Sequence, residues 1–560
     1  MDWKSALSTT IARCLGGFVL LYATHFFYRC CSIRMRFRKL RRQGLPVPEP
    51  YSIIFGHIFF MKALREGLPK DAHDTYVARK LCLNWEEYFP SNSTPPPVAY
   101  LDLWPFLSQP LILVFSPQAC SQVTQTTPQP RHSLFKWSLT PLTGGQDLTS
   151  VDVPSHRLWR SRLNPGFSPK ALMSHMDVLL EEVIIFVQKL KAKAGDDGTW
   201  GHSIPLYDDV VNLTFDIIVR VTLDYQTNDQ IAGPSSLFTS IRRLTTYVKK
   251  PTLVTKLERC LPTYRQDVAR HTKIINDILV PHIKTRLSRK PHLGGRQTVV
   301  DLCLKEISTE LNEKKSASEI SGYIDLVLSQ VKVFILAGHH TTAQAICWVL
   351  YEAHKNSGII ERLREEHGRI LGSSPTEAKS ILSRQPQKMK ELRYTAAVIK
   401  ETLRVHALSQ THREGSSNFQ FSIDNHVYPT DDTMIQTVPA ATQARPDLWP
   451  RVAEFLPERF LATAGDTLYP PKNAWRPFEL GSTRCIGEEL AMMELKLVLV
   501  FTLRSLDFDF GVTITDEKLA RPGQLAAVDG NYIYRVGNGL GYVKDNLPTR
   551  LKIIRSPIKG

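Results

Sequence analysis

Apolar residues recur at three- and four-residue spacing over Ala171 to Ala192, Leu206 to Leu223, Tyr264 to Arg289, Ser321 to His354 and Met389 to Val405. That spacing lines them along one side of a helix, so each stretch is predicted helical, the third with a kink at Pro281. Around Asn418 to Tyr428 and Asp507 to Val512 every second residue is apolar, the pattern of half-buried strands. AYLDLWPFLSQPLILV, Ala99 to Val114, holds two short apolar runs divided by Ser108, Gln109 and Pro110, and reads as a strand pair. No internal repeat or low-complexity tract is present. The prediction is a mainly α chain with small β-sheets, an α+β domain.

The longest helical stretch, SGYIDLVLSQVKVFILAGHHTTAQAICWVLYEAHKN, runs for 36 residues without proline. At about 1.5 Å per residue it reaches about 50 Å, enough to cross the whole globule. Gly338 interrupts its middle, where glycine costs about 1 kcal/mol relative to alanine. Something there should need the space.

From Ser5 to Tyr28 the chain is largely apolar, with Arg13 its only formal charge and His25 near the end. Roughly 20 such residues cross a bilayer as a helix. A dense basic block follows, with Arg29, Arg34, Arg36, Arg38, Lys39, Arg41 and Arg42. Such a flank stays cytosolic. A cleaved signal peptide would carry its charges before the apolar run and is disfavoured. An uncleaved transmembrane anchor over 1–43 is the first expectation, an interfacial amphipathic helix the second. GLPVPEP, Gly44 to Pro50, is a stiff proline-rich linker, and the catalytic domain is expected over 44–560, on the cytosolic side of the membrane.

Length and composition narrow this picture. The chain has 560 residues, 42% hydrophobic and 22% charged, as in an ordinary globular protein organised around a large ligand or in more than one lobe. Its formal charge of +16 suits an acidic partner or an anionic membrane surface. Nucleic acid is disfavoured, since the chain has no nucleic-acid motif and no interleaved basic and aromatic residues beyond the N-terminal block. The nine cysteines include no CxxC pair, so neither a disulfide framework nor a zinc knuckle is indicated.

One cysteine stands apart. Cys485 lies between Gly481 and Gly487 at the start of a helical run, FELGSTRCIGEELAMMELKLVL. A nucleophilic thiol would want a base, which distant residues could supply; a redox thiol would want a second cysteine, and none is near. A metal-bound thiolate fits the flanks better, because unpaired N–H groups at a helix N-terminus stabilise negative charge. RPFELGSTRCIGEELA resembles the haem-binding loop of cytochromes P450, Phe-x-x-Gly-x-Arg-x-Cys-x-Gly, with Phe478, Gly481, Cys485 and Gly487 in register. The resemblance implies haem b (iron protoporphyrin IX) with Cys485 as its axial ligand and Phe478 shielding the sulfur. It implies that Gly481 turns the loop and that Gly487 lets the helix lie flat against the ring. The family's arginine is replaced by Thr483, with Arg484 next to it. Either Arg484 reaches the propionate, or another cation compensates.

Further motifs follow in the family's order. KETLRVH sets Glu401 and Arg404 on one helical face, resembling Glu-x-x-Arg, and FLPERF supplies Arg459 as the third member of the family's structural triad. AGHHTTA resembles the oxygen-activation segment, in which Gly338 would widen the helix for dioxygen and Thr341 would hydrogen-bond it and help deliver protons. The family's acid is His340 here, whose imidazole, titrating near neutral pH, could relay protons. HRLWRSRLNPGFS resembles the propionate-binding helix, with Arg160 on the family's arginine and His156 on its tryptophan; Trp159 is expected to pack. Arg413, in QTHREG, is a further propionate candidate.

The whole resembles fungal microsomal members of secondary metabolism. It implies a monooxygenase of the endoplasmic reticulum membrane that inserts one atom of O2 into an apolar small molecule. No stretch resembles a flavin or iron–sulfur domain, so NADPH and flavins would act only through a partner, the NADPH-cytochrome P450 reductase. Two rivals remain: a haem-thiolate enzyme using peroxide or catalysing rearrangement, and a non-catalytic haem binder.

Overall fold

The structure, a computed structural model, describes residues 3–288, 296–310, 316–511 and 527–554. Helices dominate and the sheets are small, as the periodicity predicts. Leu206–Leu223 has the predicted ends, and the long stretch lies within Ala317–Lys355, a 39-residue helix capped by Ser316 and Glu319. The helix Pro262–Ser288 runs on through Pro281; Arg289, the expected end, lies outside the described residues. Ala171 to Ala192 is instead divided into Pro169–Met173 and Met176–Lys193. At the break the Ser174 hydroxyl donates to the Ala171 carbonyl (2.6 Å), a local bond that competes with helix propagation. Met389 to Val405 starts late, at Arg393, behind a 3-10 turn over Pro386–Lys390.

The strand pair forms as Val98–Leu101 against Leu111–Val114, antiparallel. It grows into a four-stranded sheet by parallel pairing with Met434–Thr437, which also pairs antiparallel with Thr411–Glu414. Gln420–Ile423 and His426–Pro429, in the stretch read as strand, pair with each other as a hairpin. Leu506–Asp509 pairs with Pro548–Ile553; Val512 lies outside the described residues.

Side chains on a strand alternate between the sheet's faces. The register therefore puts Val98, Tyr100, Ile112, Ile435 and Arg413 on one face and Leu101, Leu111, Leu113, Met434, Gln436 and His412 on the other. The first face is covered by the N-terminal helix, Trp3–Arg42, through buried Ile33, Phe37 and Leu40. Arg34 from the basic block is buried in an ion pair with Asp102, so this block is not wholly a solvent-facing flank. Earlier in that helix Phe18, Val19, Leu20, Leu21 and Tyr22 are exposed. Among the described residues the one helix long and apolar enough to cross a membrane is Ser318–Lys355, and its window is 61% buried, as befits the central helix of a globule.

Candidate active site

The cysteine loop is held from behind by ion pairs and glycine geometry. Glu401 accepts from Arg404 Nε and Nη2 (both 2.8 Å), from Arg459 Nε (3.3 Å) and from the Leu456 backbone N–H (2.9 Å), all buried or nearly so. Arg404 Nη1 donates to the Gln443 carbonyl (3.0 Å), and Gln443 Oε1 accepts the Arg476 backbone N–H (2.8 Å). Arg476 in turn pairs with Glu479 and donates to Thr124 Oγ1 (2.7 Å). The triad is thus brought together as expected, and Gln443, which no motif flagged, links it to the loop. Gly481 sits at φ +90°, where a Cβ would stand 2.0 Å from the Thr124 carbonyl, so only glycine lets the loop lie there.

The Cys485 N–H donates to the Phe478 carbonyl (2.8 Å), and the helix Glu488–Thr502 starts just past Gly487. A Cβ on Gly487 would meet nothing closer than Cys485 Sγ, at 3.9 Å, so no protein atom accounts for that glycine. Phe478 is half-buried, its ring 6.2 Å from that of Trp475. Cys485 itself is accessible, yet it lies so deep among protein atoms that burial pushes its thiol pKa up; the Gly487 N–H, Arg160 and Arg131 pull the other way.

Basic side chains converge on residues 483–485. Arg160 Nη1 donates to the Arg484 carbonyl (2.8 Å). Arg413 donates to Thr483 Oγ1 and, through Nη1, to the Gln129 carbonyl (3.1 Å). Arg131 Nη2 donates to the Thr483 carbonyl (3.4 Å). His156 is buried, and its Nε2 has no hydrogen-bond partner. Burial and one another's charge hold Arg131 and Arg413 down at about 10 and His156 at about 4. Arg484 is exposed and lends the cluster only its carbonyl, so of the two sequence-level options the structure favours compensation by other cations. One of these, Arg131, sequence reasoning missed. It is a lone arginine in PQPRHS, and only its bridge to Arg413, far away in the chain, brings it here.

On the central helix, Ala337 is exposed and Thr341 half-exposed within a run otherwise almost wholly buried, and Thr341 Oγ1 donates to the Ala337 carbonyl (2.7 Å). A Cβ on Gly338 would stand 2.5 Å from Ile218 Cγ1, so the helix Leu206–Leu223 packs closely on this glycine. One expectation needs correction. His340 does not titrate near neutral pH. Burial, with His339, Arg535 and Arg242 nearby, pushes it down to about 3. Its neutral ring bonds Gln344 Nε2 through Nδ1 (3.1 Å) and approaches Tyr207 edge-on. Trp159 packs as expected, against Tyr323.

Among the described residues no three His, Cys, Asp or Glu side chains could hold a bare metal ion. A metal taken by Cys485 would have to bring its other ligands with it. The arrangement can bind a broad group that carries both a soft-ligand metal and carboxylates.

The family model described as Cytochrome P450 matches residues 102–531. The chain is similar to Cytochrome P450 monooxygenase polC of Polytolypa hystricis, 30% identical over 535 residues, which are 94% of this chain and 93% of that one. Cytochrome P450 monooxygenase acrF of Aspergillus aculeatus is 26% identical over 77% of this chain and 87% of its own. Among solved structures, the cytochrome P450DA heme domain superposes with a TM-score of 0.67 at 18% identity, over 91% of this chain and 96% of its own.

Proposed function

Because the chain belongs to the cytochrome P450 family as a monooxygenase, we propose that it inserts one atom of O2 into an apolar fungal secondary metabolite of polyketide or terpenoid type. Electrons come from NADPH through a separate membrane-bound reductase, whose acidic docking face suits the charge of +16. The family implies haem, and the residues fit it. Arg131, Arg160, Arg413 and His156 are in no ion pair among the described residues and suit two propionates. Gly487 leaves open space beside the sulfur.

Bound haem supplies the activation of O2. Cys485 would ligate its iron, and an electron-rich sulfur favours O–O cleavage. Thr341 holds a proton at Oγ1 beside exposed Ala337, where it can be passed on. His340, neutral and engaged with Gln344, orients rather than titrates. The exposed apolar stretch from Phe18 to Tyr22 supports anchoring in the endoplasmic reticulum membrane over 1–43, with 44–560 as the cytosolic catalytic domain.

The observation that carries this reading is the accessible sulfur of Cys485 beside three arginines and a neutral histidine that are in no ion pair among the described residues. The test is the absorption spectrum of the reduced carbonyl complex. The wild type should give the thiolate signature, and Cys485→Ser should lose it while keeping its far-UV circular dichroism; an unchanged signature in the variant would overturn the assignment. The displaced titration of His340 favours, as a second reading, a peroxide-using or rearranging enzyme that needs no relay. Substrate-dependent consumption of NADPH and O2 excludes it.

A further inference from the structure

The cysteine loop uses one face of the four-stranded sheet, through the Arg413 guanidinium, which donates to Thr483 Oγ1, and the Thr437 hydroxyl, which donates to Glu479. The opposite face is roofed by the helices Ile58–Glu66 and Thr75–Leu83 and by the segment Lys250–Thr252. Roof and sheet enclose a cavity of about 500 Å³, within the range of small-molecule sites. Its floor is Leu101, Leu111, Leu113 and Met434, apolar throughout.

One end of the cavity is polar. Gln436 Nε2 donates to Gln410 Oε1 (2.7 Å), which fixes both amides. His412, the register partner of Gln436, lines the same end; it is only 6% exposed, and its Nδ1 has no hydrogen-bond partner. A buried ring nitrogen without a partner is costly, and the cavity is where one could arrive. Burial also pushes His412 down to about 3, so the ring is neutral and does not call for an anion. At the rim, Asp74 joins Arg65 (2.9 Å) on the roof to Lys250 (3.1 Å) on the segment that closes it. These charges satisfy one another, while Lys62, also on the lining but exposed to solvent, is in no ion pair among the described residues.

We propose that this cavity is a second small-molecule site, on the sheet face turned away from Cys485, which binds an uncharged, largely hydrocarbon molecule by a single hydroxyl hydrogen-bonded to His412 Nδ1. Asp74 latches the roof over it. The hydroxyl is the group that can either donate to or accept from the ring, whichever tautomer is present. The site goes beyond the oxygenation proposed above and does not depend on it.

The experiment uses the haem-loaded full chain and two probes of similar size, 1-dodecanol and 1-chlorododecane, which lacks the hydroxyl. A diazirine-bearing 1-dodecanol should label peptides from the segments 58–83, 101–113 and 434–436. Labelling confined to peptides around 337–341 would overturn the proposal, and this arm needs no variant. In equilibrium dialysis His412→Phe, which keeps the ring volume, should weaken 1-dodecanol about tenfold and leave 1-chlorododecane unchanged. Equal weakening of both probes, or of neither, would overturn the hydroxyl assignment.

Discussion

Glu401→Gln tests the scaffold behind the cysteine loop. The carboxylate accepts four N–H groups, three of them from guanidinium groups that are themselves almost fully buried. Glutamine keeps the shape but removes the charge and turns an amide N–H₂ toward donors. Two buried guanidinium groups then share no anion. Breaking a buried pair from one side costs about 3–5 kcal/mol, against a total stability of about 5–15 kcal/mol for a domain. The loss should reach the loop, because Gln443 couples Arg404 to Arg476. Urea denaturation followed by circular dichroism should show the drop in stability, and haem transfer to apomyoglobin should accelerate in native buffer. Glu454→Gln is the control: it removes an exposed pair with Arg451, half-open to solvent on both sides, and should change neither. A loss below about 1 kcal/mol for Glu401→Gln would refute the argument that this carboxylate is a buried counter-ion.

Other outcomes follow from the same geometry. Arg131→Ala should speed haem transfer to apomyoglobin about tenfold, roughly one charge-assisted hydrogen bond; adding Thr483→Arg should restore retention, and failure of that rescue would deny Arg131 the role of the missing loop arginine. Gly338→Ala should cost about 1–3 kcal/mol by overpacking, recovered with Ile218→Ala; if Ile218→Ala gives no recovery, packing is not why the glycine is there. Burial holds His57, His156, His339 and His354 down at about 4 and His73, His340, His367 and His412 at about 3. Their unfolded pKa is about 6.5, so as pH falls the unfolded chain takes up protons first. Stability is full above about pH 6.5 and lost below it; with half of these groups effective the loss from pH 7.5 to 5.5 is about 5 kcal/mol, and equal denaturation midpoints at the two pH values would contradict it.

Local pattern carried much of this in advance because several elements are set by what lies within a few residues. Leu206–Leu223 and the strand pair at 98–114 are written in their own periodicity, and Glu401 with Arg404 is a one-turn relation on a helix. What depends on non-local register was not legible. The sheet joins residues near 100 to residues near 435, and only that pairing reveals which face of the sheet Arg413 and His412 each serve. Arg131 belongs to the same class, since nothing in PQPRHS announces that it bridges to Arg413.

The two departures from the family's motifs illustrate a common physical logic. Each replaces a charge that sequence reading would miss locally, so compensation has to be sought in whatever touches the new side chain. At Thr483 the hydroxyl and carbonyl take one arginine each, and the cation arrives from outside the loop. Among the described residues no anion pairs with His340; the ring is instead kept neutral by burial and by nearby positive charge, and bonded to Gln344. A buried carboxylate there would have faced the same positive surroundings from Arg535 and Arg242 with a favourable sign, so the imidazole gives up that attraction. If Thr341 relays protons as proposed, its path does not charge residue 340, and the pH profile of turnover should then follow groups other than this histidine.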